Sequence, residues 1–310
     1  MVYLIKTLDE LDYAIIDMLK QDHRKSYTDI AVELGISRNT VNSKTQRLAK
    51  DGFINNYTII LDPNWFFRKT IFIEIKTNPH EPWLAEQLQN LSECELIDGI
   101  IGEFSLILKA RVTEDYTTIL NQIDALMAKS ASKKYQIIDI IHTYKENRYK
   151  FREGTLPTKN LDQKDLLLLE ILRNQGRKAL THSQISQRLR KEGIGISQPA
   201  VFKRIKRLEE EQIIEQFTIL PDYAKLGFNT KFYVRLKVDP ASYNTIAFNF
   251  LSDQPEIADL YRTGENYGLL AIVRTQDIES YNKFIQKLYN DSHILDTHTT
   301  LVLEERKKYL

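Results

Sequence analysis

The sequence contains an internal repeat with a period of about 150 to 160 residues, so any fold of this chain must be built from two related units. Matching segments follow the same order in both halves: Leu8–Asp12 with Leu161–Asp165, Arg24-Lys25 with Arg177-Lys178, Ser37–Leu48 with Ser197–Leu208, and Gly102-Glu103 with Gly264-Glu265. The spacing grows around Arg190–Gly195, where glycines indicate an enlarged turn. Ordered matches over this length predict a diverged tandem duplication.

Each copy opens with three short helical patterns. In the first copy, Leu11–Leu19 carries an apolar stripe at helical spacing, and a second helix is predicted from about Thr28 to Leu34, ending at Gly35. A third helix is expected after Ser37, a residue type that caps helix N-termini, and Ser197 takes that place in the second copy. Two helices joined by a tight turn, the second opened by serine and rich in basic residues, describe a helix-turn-helix.

The outward face of the third helix carries side chains that suit DNA. Lysine and arginine neutralise phosphates, while asparagine, glutamine and arginine form paired hydrogen bonds with base edges. In the first copy these residues are Arg38, Asn39, Asn42, Ser43 and Gln46, flanked by Lys44, Arg47 and Lys50. In the second copy they are Gln198, Lys203, Arg204, Lys206 and Arg207.

Net charge gives no support to nucleic-acid binding, because the 43 Lys and Arg residues are balanced by 42 Asp and Glu. The window Arg173–Leu208 nevertheless holds ten Lys and Arg against one acid, Glu192. A solvated amphipathic helix is the alternative interpretation of a single basic helix. Two copies of the same helix–turn–basic helix arrangement favour DNA binding.

The remainder of each copy changes to strand periodicity. In the first copy, strands are predicted at Phe53–Leu61, Thr70–Thr77, Leu96–Ile101, Ser105–Val112 and Tyr135–Tyr144, with helices at Glu81–Leu91 and Glu114–Lys129. In the second copy, strands are predicted near Thr230–Val238, Ile257–Thr263, Tyr267–Arg274 and Ile294–Leu303. The order βαββαβ is typical of a ferredoxin-like domain. Its exposed sheet face needs a cover, so we expect the two halves of the chain to pair within the molecule.

These patterns predict an α+β fold in which a winged-type helix-turn-helix domain is followed by a ferredoxin-like domain, twice. The predicted segments are a helix-turn-helix domain at 1–62, a ferredoxin-like domain at 63–150, a linker at 151–160, a second helix-turn-helix domain at 161–226 and a second ferredoxin-like domain at 227–310. The linker is polar and contains Gly154 and Pro157. Extension of the preceding strand into a turn is compatible with the same boundary.

The first copy resembles the Lrp/AsnC (feast/famine) transcription regulators, and the resemblance covers nearly the whole chain, twice. It is carried by the Leu-Asp and Arg-Lys-Ser positions of Leu8–Ser26, by Ile30–Val41, and by Asp51–Pro63. It implies a helix-turn-helix that binds promoter DNA and a ferredoxin-like domain that dimerises, assembles further and often binds an amino acid between subunits. By position, the resemblance assigns nine residues to the start of the recognition helices. They are Ser37, Arg38, Asn39, Thr40 and Ser43 in the first copy, and Ser197, Gln198, Pro199 and Ala200 in the second.

The same resemblance indicates where a small-molecule effector of the amino-acid class would bind. The family's effector loop has the form Gly-Asp-x-Asp, which here reads Gly102-Glu103-Phe104-Ser105 and Gly264-Glu265-Asn266-Tyr267. The last acidic residue is replaced in both copies. The candidate effector-binding residues are Gly102, Glu103, Ser105, Gly264, Glu265, Asn266 and Tyr267.

Two alternatives to a regulator remain open. Siroheme decarboxylases have the same architecture and use His and Arg near the strand that here reads Asp259–Thr263, but no His lies there, and Arg262 aligns with Ile100 in the first copy. A partner-binding module that has lost DNA contact is the third alternative. We expect no enzymatic activity, no cofactor and no metal, because the six histidines lack metal-ligand spacing and no phosphate-binding glycine loop or nucleophile motif occurs.

The predicted function is therefore that of a DNA-binding regulator acting as a covalent pseudo-dimer. The recognition helices differ, with Arg38-Asn39-Thr40 against Gln198-Pro199-Ala200, which favours an asymmetric DNA site. Its expected partners are double-stranded DNA, an effector and further copies of the chain. A cytoplasmic location is expected, since the chain has one cysteine, Cys94, no signal-peptide pattern in its first residues, and no apolar run near the roughly 20 residues that span a membrane.

Overall fold

The computed structural model describes residues 8–63, 68–113, 115–151, 161–291 and 293–307. They belong to two compact units, one drawn from residues 1–65 and 157–226, the other from residues 66–156 and 227–310. Except for Phe151, the expected linker at 151–160 lies outside the described residues, as does Glu114, the expected start of a helix. Within the part described, no helix has both the length and the apolar character needed to cross a membrane.

The helices and strands follow the predicted order, apart from a short strand at Tyr149–Lys150 that the sequence pattern did not predict. The first half contains α1 (Glu10–Gln21), α2 (Tyr27–Leu34), α3 (Arg38–Lys50), β1 (Ile54–Leu61), β2 (Arg68–Ile75), α4 (Pro82–Gln89), β3 (Cys94–Ile100), β4 (Leu106–Thr113), α5 (Thr117–Met127), β5 (Tyr135–Glu146) and β6 (Tyr149–Lys150). The second half contains α6 (Gln163–Arg173), α7 (His182–Lys191), α8 (Gln198–Glu210), β7 (Ile214–Pro221), β8 (Thr230–Val238), α9 (Tyr243–Asn249), β9 (Ile257–Thr263), β10 (Gly268–Thr275), α10 (Ile278–Tyr289) and β11 (Ile294–Lys307).

Local sequence signals explain where the helices of the first unit begin and end. Asp9 caps α1 in a capping box with Asp12, and Asp162 caps α6 in the same way. The predicted caps of the recognition helices are confirmed, because Ser37 and Ser197 accept hydrogen bonds from the third backbone N–H of α3 and α8. Gly35 ends α2 at φ +64°, a left-handed conformation that glycine adopts without strain.

The strands that follow the recognition helices pair with each other. β1 and β7 form an antiparallel two-stranded sheet in which Thr58 lies opposite Thr218. Each strand also contacts the first helix of the other half, since the Asn56 side-chain amide donates to the Arg173 carbonyl (2.7 Å) and that of Gln216 donates to the Lys20 carbonyl (2.9 Å). These reciprocal bonds join two three-helix modules, α1–α3 and α6–α8, in one unit.

The second unit is a closed β-barrel. Its strands follow the order β2-β4-β3-β11-β8-β10-β9-β5, and pairing of β2 with β5 closes the ring. Two junctions join strands from different halves of the chain, β3 with β11 and β5 with β9, both antiparallel. The two four-stranded sheets thus meet at both edges, which removes the exposed edges that a lone sheet would leave.

Successive side chains along each strand point alternately out of and into the barrel, which gives it two separate cores. The outer faces pack against the four helices, whose buried side chains include Leu84 and Ile123 in the first half and Phe248 and Phe284 in the second. The inner faces form a separate apolar cluster with no helical residue. At its centre, the ring of Phe72 meets those of Tyr233 and Tyr261 edge to face, at centroid distances of 6.1 and 5.3 Å.

A cluster of charged side chains is buried within the second unit. Lys109 is almost fully buried and pairs with Glu146 and, at 3.6 Å, with Glu95. Arg111 contacts the same two carboxylates, at 2.6 and 3.2 Å. Burial opposes ionisation of Glu146, but the charges of Arg111 and Lys109 outweigh it and hold the pKa of Glu146 well below its usual range. The carboxylate is therefore a structural counter-ion at neutral pH.

Candidate functional sites

The first recognition helix presents the predicted polar face to solvent. Val41, Thr45 and Leu48 are buried beneath it. The exposed side chains of α3 are those of Arg38, Asn39, Ser43, Gln46 and Lys50, with Thr40 and Asn42 half-buried beside them. The Gln46 amide donates to Asn42 Oδ1 at 3.1 Å, so two amide side chains lie one helical turn apart on the same face.

The second recognition helix has the same architecture with a different surface. Gln198, Lys203 and Lys206 are exposed on α8, together with Pro199 at the first turn, and Ala200 is half-buried. Phe202 is also 51% exposed, in the position that Asn42 occupies in α3. Sequence reasoning missed Phe202, although it falls off the apolar spacing of Val201, Ile205 and Leu208 and thus had to face outward.

Five of the predicted DNA-binding cations form ion pairs within the fold. Lys206 pairs with Glu210 of its own helix at 3.6 Å, and the other four pair with carboxylates at the start of the first helix of their module. Lys44 Nζ lies 2.5 Å from Asp9 and 3.0 Å from the fully buried Asp12, which also pairs with Arg47. In the second module, Arg204 lies 2.8 Å from Asp162 and 2.6 Å from Asp165, and Arg207 lies 2.5 Å from Asp165. These four cations join each recognition helix to the first helix of its module.

The pKa of a capping carboxylate reflects this pairing. The hydrogen bond from Lys44 is the largest influence on Asp9 and lowers its pKa below the usual value. Burial acts in the opposite direction at Asp162, but hydrogen bonds from the Asp165 backbone and from Arg204 lower its pKa overall. Both carboxylates are charged at neutral pH and offset the positive charge of the recognition helices.

The second unit contains a cavity of about 370 Å³ where the two predicted effector loops come together. Five predicted residues line it: Gly102, Glu103, Glu265, Asn266 and Tyr267. Ser105 and Gly264 are absent from the described lining; their backbone N–H groups donate to the carbonyls of Ile75 and Asp139. Sequence reasoning missed the strand residues of the wall, among them Glu74, Gln136, Arg235 and His298.

An ionic network forms the floor of this cavity. Arg235 lies 2.7 Å from Glu74 and 3.0 Å from Glu265, so one guanidinium joins carboxylates from both halves of the chain. Burial disfavours the charged guanidinium, but the hydrogen bond and charge of Glu74, with those of Glu265, raise the pKa of Arg235. The Gln136 amide donates to Glu74 at 2.5 Å. Together with Glu103, the cavity holds more acidic than basic side chains.

Two family models match the chain. That of the winged helix-turn-helix DNA-binding domain matches residues 8–55, and that of the Lrp/AsnC ligand binding domain matches residues 231–309. The first match covers α1 to α3 and the start of β1, and the second covers most of the second ferredoxin-like segment.

Curated relatives align with about half of the chain or less. The HTH-type transcriptional regulator FL11 of Pyrococcus horikoshii is 30% identical over 149 residues, which are 48% of this chain and 93% of the relative. The leucine-responsive regulatory protein of Escherichia coli (strain K12) is 32% identical over 117 residues, which are 35% of this chain and 70% of the relative.

Solved structures of one enzyme match nearly the entire chain. The siroheme decarboxylase NirDL covers 97% of this chain, and the match includes 94% of that enzyme, with a TM-score of 0.67 at 11% sequence identity. At this identity the similarity concerns the fold alone.

Proposed function

Because this chain belongs to the Lrp/AsnC family of transcription regulators, we propose that it is a tandem duplicate that binds double-stranded promoter DNA as a covalent pseudo-dimer. The pairing of β1 with β7 is the observation that carries the proposal, because it joins two helix-turn-helix modules in one unit. Each module has the serine-capped recognition helix of a DNA-binding motif.

The proposed DNA contacts are the exposed residues of α3 and α8. A symmetric family dimer reads two half-sites about one helical turn, roughly 34 Å, apart. Unlike recognition helices favour two unlike half-sites, so we propose an asymmetric target. Further association between chains belongs to the same proposal and is measured by light scattering of the purified protein.

The test is binding to a labelled fragment of the protein's own promoter, titrated in salt, together with an absorption spectrum of the same preparation. Selective binding with a steep salt dependence and no visible chromophore supports a DNA-binding regulator. Weak, unselective binding to this and other promoters contradicts it and favours a partner-binding module.

The cavity formed by the two effector loops is the proposed effector site. Its volume is within the range of small-molecule sites, and the carboxylates of Glu103 and Glu265 suit the ammonium group of an amino acid. The test is a thermal shift with each common amino acid for the wild type and for Glu265→Ala. A shift that Glu265→Ala abolishes supports the site, whereas no shift with any amino acid, or an unchanged shift in the variant, contradicts it.

A decarboxylase is the second candidate, favoured by the whole-chain fold similarity to NirDL. Against it, Arg262, the arginine of the strand in question, stacks on the Tyr243 ring at 3.4 Å and donates to the Gly268 carbonyl at 2.9 Å. The absorption spectrum discriminates between the decarboxylase and the regulator, because tetrapyrrole absorption in the purified protein would favour the decarboxylase.

A further inference from the structure

We infer that the two helix-turn-helix modules make different contacts with DNA. The second module binds the phosphate backbone through the exposed cations of α7 and its flanking turns, while α3 of the first module reads bases. This inference rests on the proposed DNA binding. It assigns a phosphate-binding surface to α7, which lies outside the recognition helices.

The clearest sign of this division is a reversal of charge at equivalent positions. The N-caps Ser26 and Thr181 align α2 with α7, and seven positions beyond each cap stand Glu33 in α2 and Arg188 in α7. In a helix-turn-helix bound to DNA, the helix before the recognition helix crosses the phosphate backbone. Glu33 is paired with Lys25 and offers phosphates no positive charge, whereas the guanidinium of Arg188 attracts them, so the two modules meet DNA differently.

Positive charge in the first module is largely neutralised within the protein. Lys20 pairs with Asp17 at 3.1 Å, Arg24 with Glu209 at 2.7 Å, and Lys25 with Glu33. Lys44 and Arg47 pair with the carboxylates of α1. Among the described residues of this module, only Arg38 and Lys50 of the cations from Lys20 to Lys50 form no ion pair.

Positive charge in the second module remains available. Arg188 donates to a backbone carbonyl, that of Asn174, at 3.2 Å, and no carboxylate within the described chain pairs with it. Nor does a carboxylate within the described chain pair with five further cations around α7 and α8, namely Arg177, Lys178, Arg190, Lys191 and Lys203. Cations that no carboxylate neutralises can contact phosphates and displace the counter-ions condensed on the DNA backbone.

Base-reading groups show the opposite distribution. The outward face of α3 carries three amide side chains, those of Asn39, Asn42 and Gln46, and amides pair bidentately with adenine in the major groove. The same positions of α8 hold Pro199, Phe202 and Lys206. Neither proline nor phenylalanine donates a side-chain hydrogen bond, so α8 has less capacity for direct readout than α3.

The experiment measures affinity of the full chain for its own promoter fragment and for a scrambled fragment of equal length, across a salt series. The anchor variant is Arg188→Ala/Arg190→Ala/Lys191→Ala, and the reader variant is Asn39→Ala/Asn42→Ala/Gln46→Ala. We expect the anchor variant to reduce the salt slope by about 2 to 3, since each phosphate contact contributes about 0.9. Its preference for the promoter over the scrambled fragment should stay within about twofold of wild type.

The reader variant should behave in the opposite way. It should lose about tenfold of the preference for each amide contact removed and keep the wild-type salt slope. Lys283→Ala, which removes an exposed cation of α10, is the control for loss of surface charge and should change neither quantity. Far-UV circular dichroism confirms that each variant retains its helices.

Three results overturn the inference. An anchor variant with an unchanged salt slope shows that α7 does not meet phosphates, and a reader variant with unchanged preference shows that α3 does not read bases. A wild-type chain that binds neither fragment, nor other promoters, removes the proposed function and the inference with it. The first two outcomes leave DNA binding intact and the third does not. Failure of the inference alone is therefore distinguishable from failure of the proposed function.

Discussion

Arg204 of the second recognition helix lies 2.6 Å from Asp165, a carboxylate that is 1% exposed in the first helix of the same module. Arg207 contacts the same carboxylate at 2.5 Å, and Arg47 with Asp12 repeats the arrangement in the first module. Some of the basic residues that the sequence predicts as DNA contacts thus hold two helices of one module together.

Asp165→Ala should lower the free energy of unfolding of the first unit by roughly 2 to 4 kcal/mol. The change removes an N-terminal capping acceptor and leaves two guanidinium groups without their buried partner. Urea denaturation followed by circular dichroism measures it. Asp17→Ala, which breaks only the exposed pair with Lys20, is the control and should cost under about 0.5 kcal/mol. Equal losses in both variants would show that Asp165 has no special role.

Lys203→Ala and Arg204→Ala should separate DNA contact from structural pairing. Lys203 is exposed and Arg204 is paired with Asp162 and Asp165. We expect Lys203→Ala to flatten the salt dependence of DNA binding by about 0.9 without a change in stability. Arg204→Ala should mainly reduce stability. Salt titrations and denaturation of both variants check this, and a reversed pattern would return Arg204 to the DNA interface.

His23 should make the first unit less stable as the pH falls from about 6.5 to 4. The ring is buried against Tyr57 and Phe217, with centroid distances of 5.3 and 5.6 Å, and burial lowers its pKa to about 4. The unfolded chain takes up a proton on His23 near pH 6.5, while the ring stays neutral in the folded chain. The free energy of unfolding therefore falls by up to about 3 kcal/mol over this window.

Unfolding free energies of wild type and His23→Gln between pH 7 and 4 measure the effect. The variant should lose most of the pH dependence in the upper part of this range. His80→Gln, at an exposed position, is the control and should keep the wild-type slope. If His23→Gln keeps it too, other groups are responsible.

Arg235→Ala should destabilise the barrel by about 3 to 5 kcal/mol, because it leaves Glu74, only 3% exposed, without its guanidinium. The two residues occupy equivalent strands, β2 and β8, so the charges can be exchanged. We expect Glu74→Arg/Arg235→Glu to recover a measurable part of the loss, and thermal denaturation compares the variants. No recovery would mean that Glu265 and Gln136 fix the orientation of the pair.

The sequence by itself determined the local structure. Ser37 and Ser197 as helix caps, Gly35 as a helix end, and the βαββαβ order all follow from residues within a few positions of one another. The buried stripes follow from the period of the apolar residues, which each helix or strand carries in its own sequence. Such signals also sufficed to identify the recognition helices, whereas the two candidate effector loops followed from the family resemblance.

Only the tertiary structure decided which distant groups meet. The pairing of β3 with β11, the contact of Arg204 with Asp165 and the shared cavity of Glu103 and Glu265 each depend on strand register or helix packing between segments far apart in the chain. A basic residue on an outward face has the same sequence signal whether it meets a phosphate or a carboxylate of the fold. Its partner is set by long-range packing, and for that reason Arg188 and Arg204, alike in sequence, differ in the charge they leave free.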